Sequence, residues 1–161
     1  MRILPYLFYL LLIAMFVVIF EDITYIYRAG INLPMFIVLA VALYKDARQA
    51  TWFGFAAGIV AFAALPEVIG WHALFMAGLG FIAARVKVRL NLESLKAKLL
   101  LILGGVLVHN LLVVLVNHAQ EFFTLLWSSA LLGAVYTTAI AWVFFLFREG
   151  LITREKVKAL F

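Results

Sequence analysis

The stretch Ala97–Asn117, AKLLLILGGVLVHNLLVVLVN, decides the fold class. Past Lys98 it carries no charge, and only His109 and Asn110 interrupt its apolar run before Asn117. About 20 such residues are what an α-helix needs to cross a hydrocarbon core of ~30 Å. Working outward, the chain repeats the pattern on both sides. Ile3–Phe20, Gly30–Tyr44, Gln49–Leu65 and Ile69–Arg85 precede it, and Phe122–Phe147 follows, with a polar tail at Arg148–Phe161. The reading is an all-α integral membrane protein of six transmembrane helices in a single domain over residues 1–161.

Composition agrees. Of 161 residues 68% are hydrophobic, against roughly 45 to 50% in soluble globular domains, and mean hydropathy is +1.15. A water-soluble fold is excluded. Cysteine is absent, so disulfides, zinc thiolate sites and iron–sulfur clusters have no ligands. Ile3–Phe20 is longer than a signal-peptide apolar core of ~7 to 15 residues and lacks a small-residue cleavage site, so it is expected to be a retained span.

Thirteen Lys and Arg residues outnumber eight acids, and their positions give an orientation. With the N-terminus cytoplasmic, Arg2, Lys45, Arg48, Arg85, Lys87, Arg89, Lys96, Lys98, Arg148, Arg154, Lys156 and Lys158 all fall inside. Only Arg28 falls outside, with Glu21, Asp22, Glu67 and Glu121. That asymmetry is the positive-inside rule for an even number of spans with both ends in the cytoplasm. It also disposes of nucleic acid, because the basic residues form collars at span ends and not one basic groove. Arg85–Glu93 alternates polar and apolar, nominally a strand period. A lone strand has no partner there, so the segment is expected to be the frayed end of the fourth helix at the headgroups, with Arg85, Lys87 and Arg89 contacting anionic lipid.

Candidate functional residues are few. His109 and Asn110 lie mid-span, where polar groups are expensive and face the bundle, and Tyr136, Thr137 and Thr138 fall at similar depth on the last span. Two readings stand: an interhelical hydrogen-bond clamp, or a ligand or proton site. The three histidines form no H-x-x-x-H or H-E-x-x-H pair, so no metal is expected. Serines share no depth with a histidine and a carboxylate, no span holds paired carboxylates, and Gly104-Gly105 lies inside an apolar helix. An enzyme is not expected, nor a cofactor. Ala50, Gly54 and Gly58 recur every fourth residue on the third span; Ala77, Gly80 and Ala84 line the fourth. Such faces let backbones approach closely, either within the bundle or against another protein's helix.

The stretch from Tyr44 to Ser94 resembles the rod shape-determining protein MreD family. The resemblance lies in an ordered run: Pro34 ahead of the second long helix, a short basic loop at Lys45 and Arg48, Gly54-Phe-Ala-Ala-Gly58, Ile69-Gly-Trp-His-Ala-Leu74, Gly80-Phe-Ile-Ala-Ala84, and a basic segment from Arg85 closing on Glu93-Ser94. It implies a non-catalytic inner-membrane component of the cell-elongation and peptidoglycan-synthesis machinery. MreC is the implied partner, linked through it to MreB, the RodA-type glycosyltransferase and the elongation transpeptidase. The family often has an aspartate four residues after the second glycine, where this chain has Phe62. MreD-like chains are also similar to the substrate-binding subunits of energy-coupling-factor uptake transporters. Those carry a small-residue docking motif on the first span, where this chain offers only Ala14.

Overall fold

The computed structural model describes residues 3–20, 23, 29–90, 94–117 and 119–149. They form six helices: α1 Leu4–Phe20, α2 Leu33–Tyr44, α3 Ala47–Ala61, α4 Ile69–Leu90, α5 Leu95–Asn117 and α6 Phe122–Arg148. A 3-10 turn, Ala119–Glu121, leads into α6. The protein is an all-α membrane protein in which α4, α5 and α6 are long and apolar enough to cross a bilayer. At 1.5 Å per residue, the 12 residues of α2 reach about 18 Å and the 15 of α3 about 22 Å, short of the ~30 Å core.

Several boundaries move from those expected. Gly30–Asn32 does not join the second helix. Pro34, whose missing N–H costs nothing in a first turn, sits just behind Asn32, which caps α2 by accepting the Met35 N–H at 3.1 Å. The third helix begins at Ala47, capped by Asp46, whose Oδ1 accepts the Gln49 N–H at 2.7 Å. It stops at Ala61 instead of running to Leu65: the Phe62 backbone leaves helical geometry and the Leu65 N–H turns back to the Phe62 carbonyl at 3.0 Å. The fourth helix continues five residues past Arg85 to Leu90, so the alternating segment is helical as far as the description extends. Ser94 caps α5 through its Oγ, which accepts the Ala97 N–H at 3.2 Å.

α2 is the central helix. Nine of its twelve residues are buried, as expected of a helix apolar on every face. It packs on α3, α4 and α5. α5 and α6 pair on one side, and α1 lies against α3, with Tyr6 and Tyr9 packed on Phe53 at ring separations of 5.9 and 6.2 Å.

The most intimate contact joins α3 to α4. A Cβ on Gly54 would lie 2.5 Å from the Met76 carbonyl oxygen; on Gly58, 2.5 Å from Ala73 Cα; on Gly80, 2.9 Å from the Ala50 carbonyl oxygen. Ala50, Ala77 and Ala84 are buried beside them. The small-residue faces of α3 and α4 therefore fill each other.

One end of the bundle gathers the basic residues. Lys87 donates its ammonium to the Lys45 carbonyl, Lys98 pairs with Glu149, and the Arg148 guanidinium lies 4.1 Å from the centre of the Tyr44 ring. The C-terminal ends of α2, α4 and α6 and the start of α5 thus share this end. The tail after Glu149, His118, Arg28, Glu21, Asp22 and Glu93 lie outside the described residues.

Gly58→Ala is expected to lower thermal stability in detergent by about 1 to 3 kcal/mol, because backbone and not a flexible side chain opposes the new methyl. Gly104→Ala is expected to raise it by ~0.5 to 1 kcal/mol, because nothing lies within 4 Å of that position and alanine is the better helix former. Equal effects of the two substitutions would contradict the packing described.

Candidate functional site: a polar cluster under an open cavity

At the end opposite the basic collar, Asn32 is a hub. Its position at the N-terminus of α2 leaves its own backbone N–H outside the helix ladder, and that N–H donates to Thr137 Oγ1 at 2.9 Å. Thr137 in turn donates to the Gly133 carbonyl at 2.7 Å. The Asn32 side-chain oxygen is used by the cap, so its amide nitrogen faces α5. There Nδ2 lies 2.9 Å from His109 Nδ1 and 2.8 Å from Asn110 Oδ1, donating to both. Asn110 completes the chain by donating Nδ2 to the Ala130 carbonyl at 3.2 Å. One asparagine therefore ties α2 to α5 directly and to α6 through Thr137, while Asn110 joins α5 to α6.

The tautomer of His109 follows from this wiring. Asn32 Nδ2 can only donate, so His109 Nδ1 accepts and the proton sits on Nε2. A metal-ligating imidazole has the reverse arrangement, its second nitrogen donating to a carboxylate or carbonyl. His109 is thus wired as a neutral donor. Its Nε2 and His72 Nδ1 are both buried without a hydrogen-bond partner among the described residues, and the two rings are 5.7 Å apart. An unmet buried polar group costs ~1 to 3 kcal/mol, and neighbouring unmet nitrogens are what a bridging water or ligand atom satisfies.

These residues line an open cavity of about 330 Å³ to which every helix contributes: Phe16, Pro34, Ala61, His72, His109 and Ser129 are examples. The volume is at the lower end of the ~300 to 1,000 Å³ usual for small-molecule sites. Among the described residues no charged side chain lines it. Two of the six helices that contribute to it carry a π-helical turn here, Phe16–Phe20 in α1 and Leu126–Leu131 in α6. Such turns widen a helix locally and frequently mark functional sites. Phe62, where the resembled family often has an acid, stacks on His72 with ring centroids 3.4 Å apart at 14°. In this chain that position seals the ring of His72 with an apolar face.

The candidate residues thus divide. His109, Asn110 and Thr137 come together; Tyr136 does not, since the helix turns it away from Thr137 to a half-buried position, and Thr138 bonds back to the Ala134 carbonyl. Asn32 and His72 complete the cluster and were not among the candidates. A signal for Asn32 was present, because Asn followed two residues later by Pro is a helix-start pattern. None exists for His72, whose neighbours come from α3 and α5. Of the three basic residues assigned to lipid, Arg85 and Arg89 are exposed, with Arg85 5.1 Å from the Phe81 ring centre. Lys87 differs, being half-buried and bonded to the end of α2.

No family model matches the chain, and no curated protein or solved structure matches it.

Asn32→Ala is expected to cost about 2 to 4 kcal/mol, since it removes a helix cap and leaves His109 Nδ1 and Asn110 Oδ1 unmet together. Asn110→Leu, which removes the bonds to Asn32 and to the Ala130 carbonyl but leaves the α2 cap in place, is expected to cost ~1 kcal/mol. Thermal unfolding of the two variants in the same detergent measures the difference, and an Asn110→Leu loss exceeding that of Asn32→Ala would remove Asn32 from the centre of the network.

Proposed function

We propose that this chain is a non-enzymatic, multi-pass scaffold of the bacterial inner membrane that serves the cell-elongation machinery in the manner of the MreD family. All six helices span in this reading, the short α2 and α3 aided by flanking residues, and the basic end faces the cytoplasm. The partner is MreC, and through it MreB filaments, the RodA-type glycosyltransferase and the elongation transpeptidase. What carries the reading is that the family-like run, Tyr44 to Ser94, coincides with one structural unit. Its glycines at 54, 58 and 80 are the positions where α3 and α4 admit no side chain, and its closing serine caps the next helix.

Because α4 fills the small-residue face of α3, the helix of MreC docks on another face. That is a change from the third-span groove as a partner surface, and its reason is steric: the groove has no room left.

A second reading, a substrate-binding subunit of an energy-coupling-factor-type uptake transporter, draws support from the polar cavity under α2. The first helix counts against it, with bulky residues on every side of Ala14.

Isolation of the tagged chain in mild detergent, followed by mass spectrometry of what accompanies it, separates the two. MreC is the expected companion; recovery of ATPase subunits in its place would overturn the scaffold reading. Orientation is tested separately. The chain has no cysteine, so single cysteines are clean probes. In intact cells one at Arg48 is expected to resist an impermeant thiol reagent and one at Glu67 to react, both being exposed positions. Labelling at Arg48 from outside would invert the topology.

A further inference from the structure

A second concavity, unrelated to the polar cluster, runs along the outside of the bundle. It is an open cleft of about 730 Å³ between α1 and α6, floored by α2. Tyr9 and Leu12 form one wall, Ile140 and Phe144 the other, and Phe36 and Ala40 lie on the floor. Along α2 the cleft extends from Leu33 to Lys45, twelve residues by difference of number. That is about 18 Å at 1.5 Å per residue, slightly more than one leaflet of a ~30 Å hydrocarbon core.

Its two ends differ. Toward Leu33 the lining is apolar, whereas at the basic end Lys45 and Arg148 stand at the mouth with Tyr44 and Gln49. The carboxylates described near this mouth are already engaged. Asp46 caps α3, and Glu149 pairs with Lys98. Lys45 and Arg148 form no ion pair among the described residues. The Arg148 guanidinium carbon lies over the Tyr44 ring, and a guanidinium carries five N–H donors in a fork that suits a phosphate.

We propose that this cleft binds one anionic glycerophospholipid of the leaflet at the basic end. An acyl chain lies along α2 between α1 and α6, and the phosphate is held by Lys45 and Arg148. The argument is the match of gradients. An apolar channel one leaflet long ends in two cations that meet no carboxylate among the described residues, and a lipid with a single negative phosphate and a long chain has the same sequence of chemistries. A partner's transmembrane helix would fill the apolar length but would leave the two cations unmet unless it also brought an acid to that level.

The test uses the full chain, purified in an uncharged detergent and titrated with phosphatidylglycerol or phosphatidylcholine of identical acyl chains, with bound lipid read by native mass spectrometry. One phosphatidylglycerol per chain is expected to be retained at roughly thirtyfold lower concentration than phosphatidylcholine, from two basic residues acting on one anionic headgroup. The double variant Lys45→Gln, Arg148→Gln is expected to erase that preference. Both side chains are at the surface, so the variant should fold, which its circular dichroism and melting curve would verify. Ala40→Phe, which narrows the floor, is expected to weaken both lipids together. Equal retention of the two lipids by the unaltered chain, retention without a one-to-one limit, or an undiminished preference in the double variant would each overturn the proposal. So would a cleft that binds neither lipid, as expected if a helix occupies it.

Discussion

The approach of α3 to α4, backbone against backbone, is the constraint on which the other helices depend. Lipid gives two helices no hydrophobic reason to associate, so contact must come from packing and hydrogen bonds. Packing at this distance is possible only where side chains are missing, as at Gly54, Gly58 and Gly80. The hairpin made this way supplies a flat wall for α2, whose residues are buried on nearly every face. A helix so surrounded needs no polar stripe, which explains why α2 is almost uniformly apolar.

With α2 buried, its ends become the places where polarity has to be managed, and the two ends are managed differently. At the N-terminal end Asn32 accepts the Met35 N–H of the first turn and also bonds to Thr137, His109 and Asn110. The clamp between helices is in this sense an extension of a helix cap. At the C-terminal end the Lys45 carbonyl accepts from a lysine of α4 and an arginine of α6 lies over the Tyr44 ring, cations that suit the negative end of the helix dipole. The same helix therefore organises a neutral polar cavity at one end and a cationic mouth at the other.

That polarity gives the proposed scaffold a physical basis for being more than filler between partners. The neutral cavity has open volume, π-helical turns on two of its walls and unmet imidazole nitrogens, so its occupancy would be felt by every helix. The cleft between α1 and α6 is open along the outside of the bundle.

The amino-acid sequence by itself determined the fold class, the helix count and the collars of charge. Each rests on local properties: apolar run length, proline and capping residues, and which side of a run a lysine follows. It also marked His109, Asn110 and Thr137 as costly polar residues inside an apolar run. Only the tertiary structure decided what they bond to. The hub, Asn32, looks from its neighbours like an ordinary cap; it becomes a hub because α5 and α6 arrive beside it, a contact spanning 77 to 105 residues of chain. Tyr136 and Thr137 are adjacent in sequence, yet a helix rotates successive residues by about 100°, so one joins the cluster and the other does not. In the same way the glycines of α3 showed a groove, and only the position of α4, with Ala73 and Met76 against it, decided that the groove is filled from within.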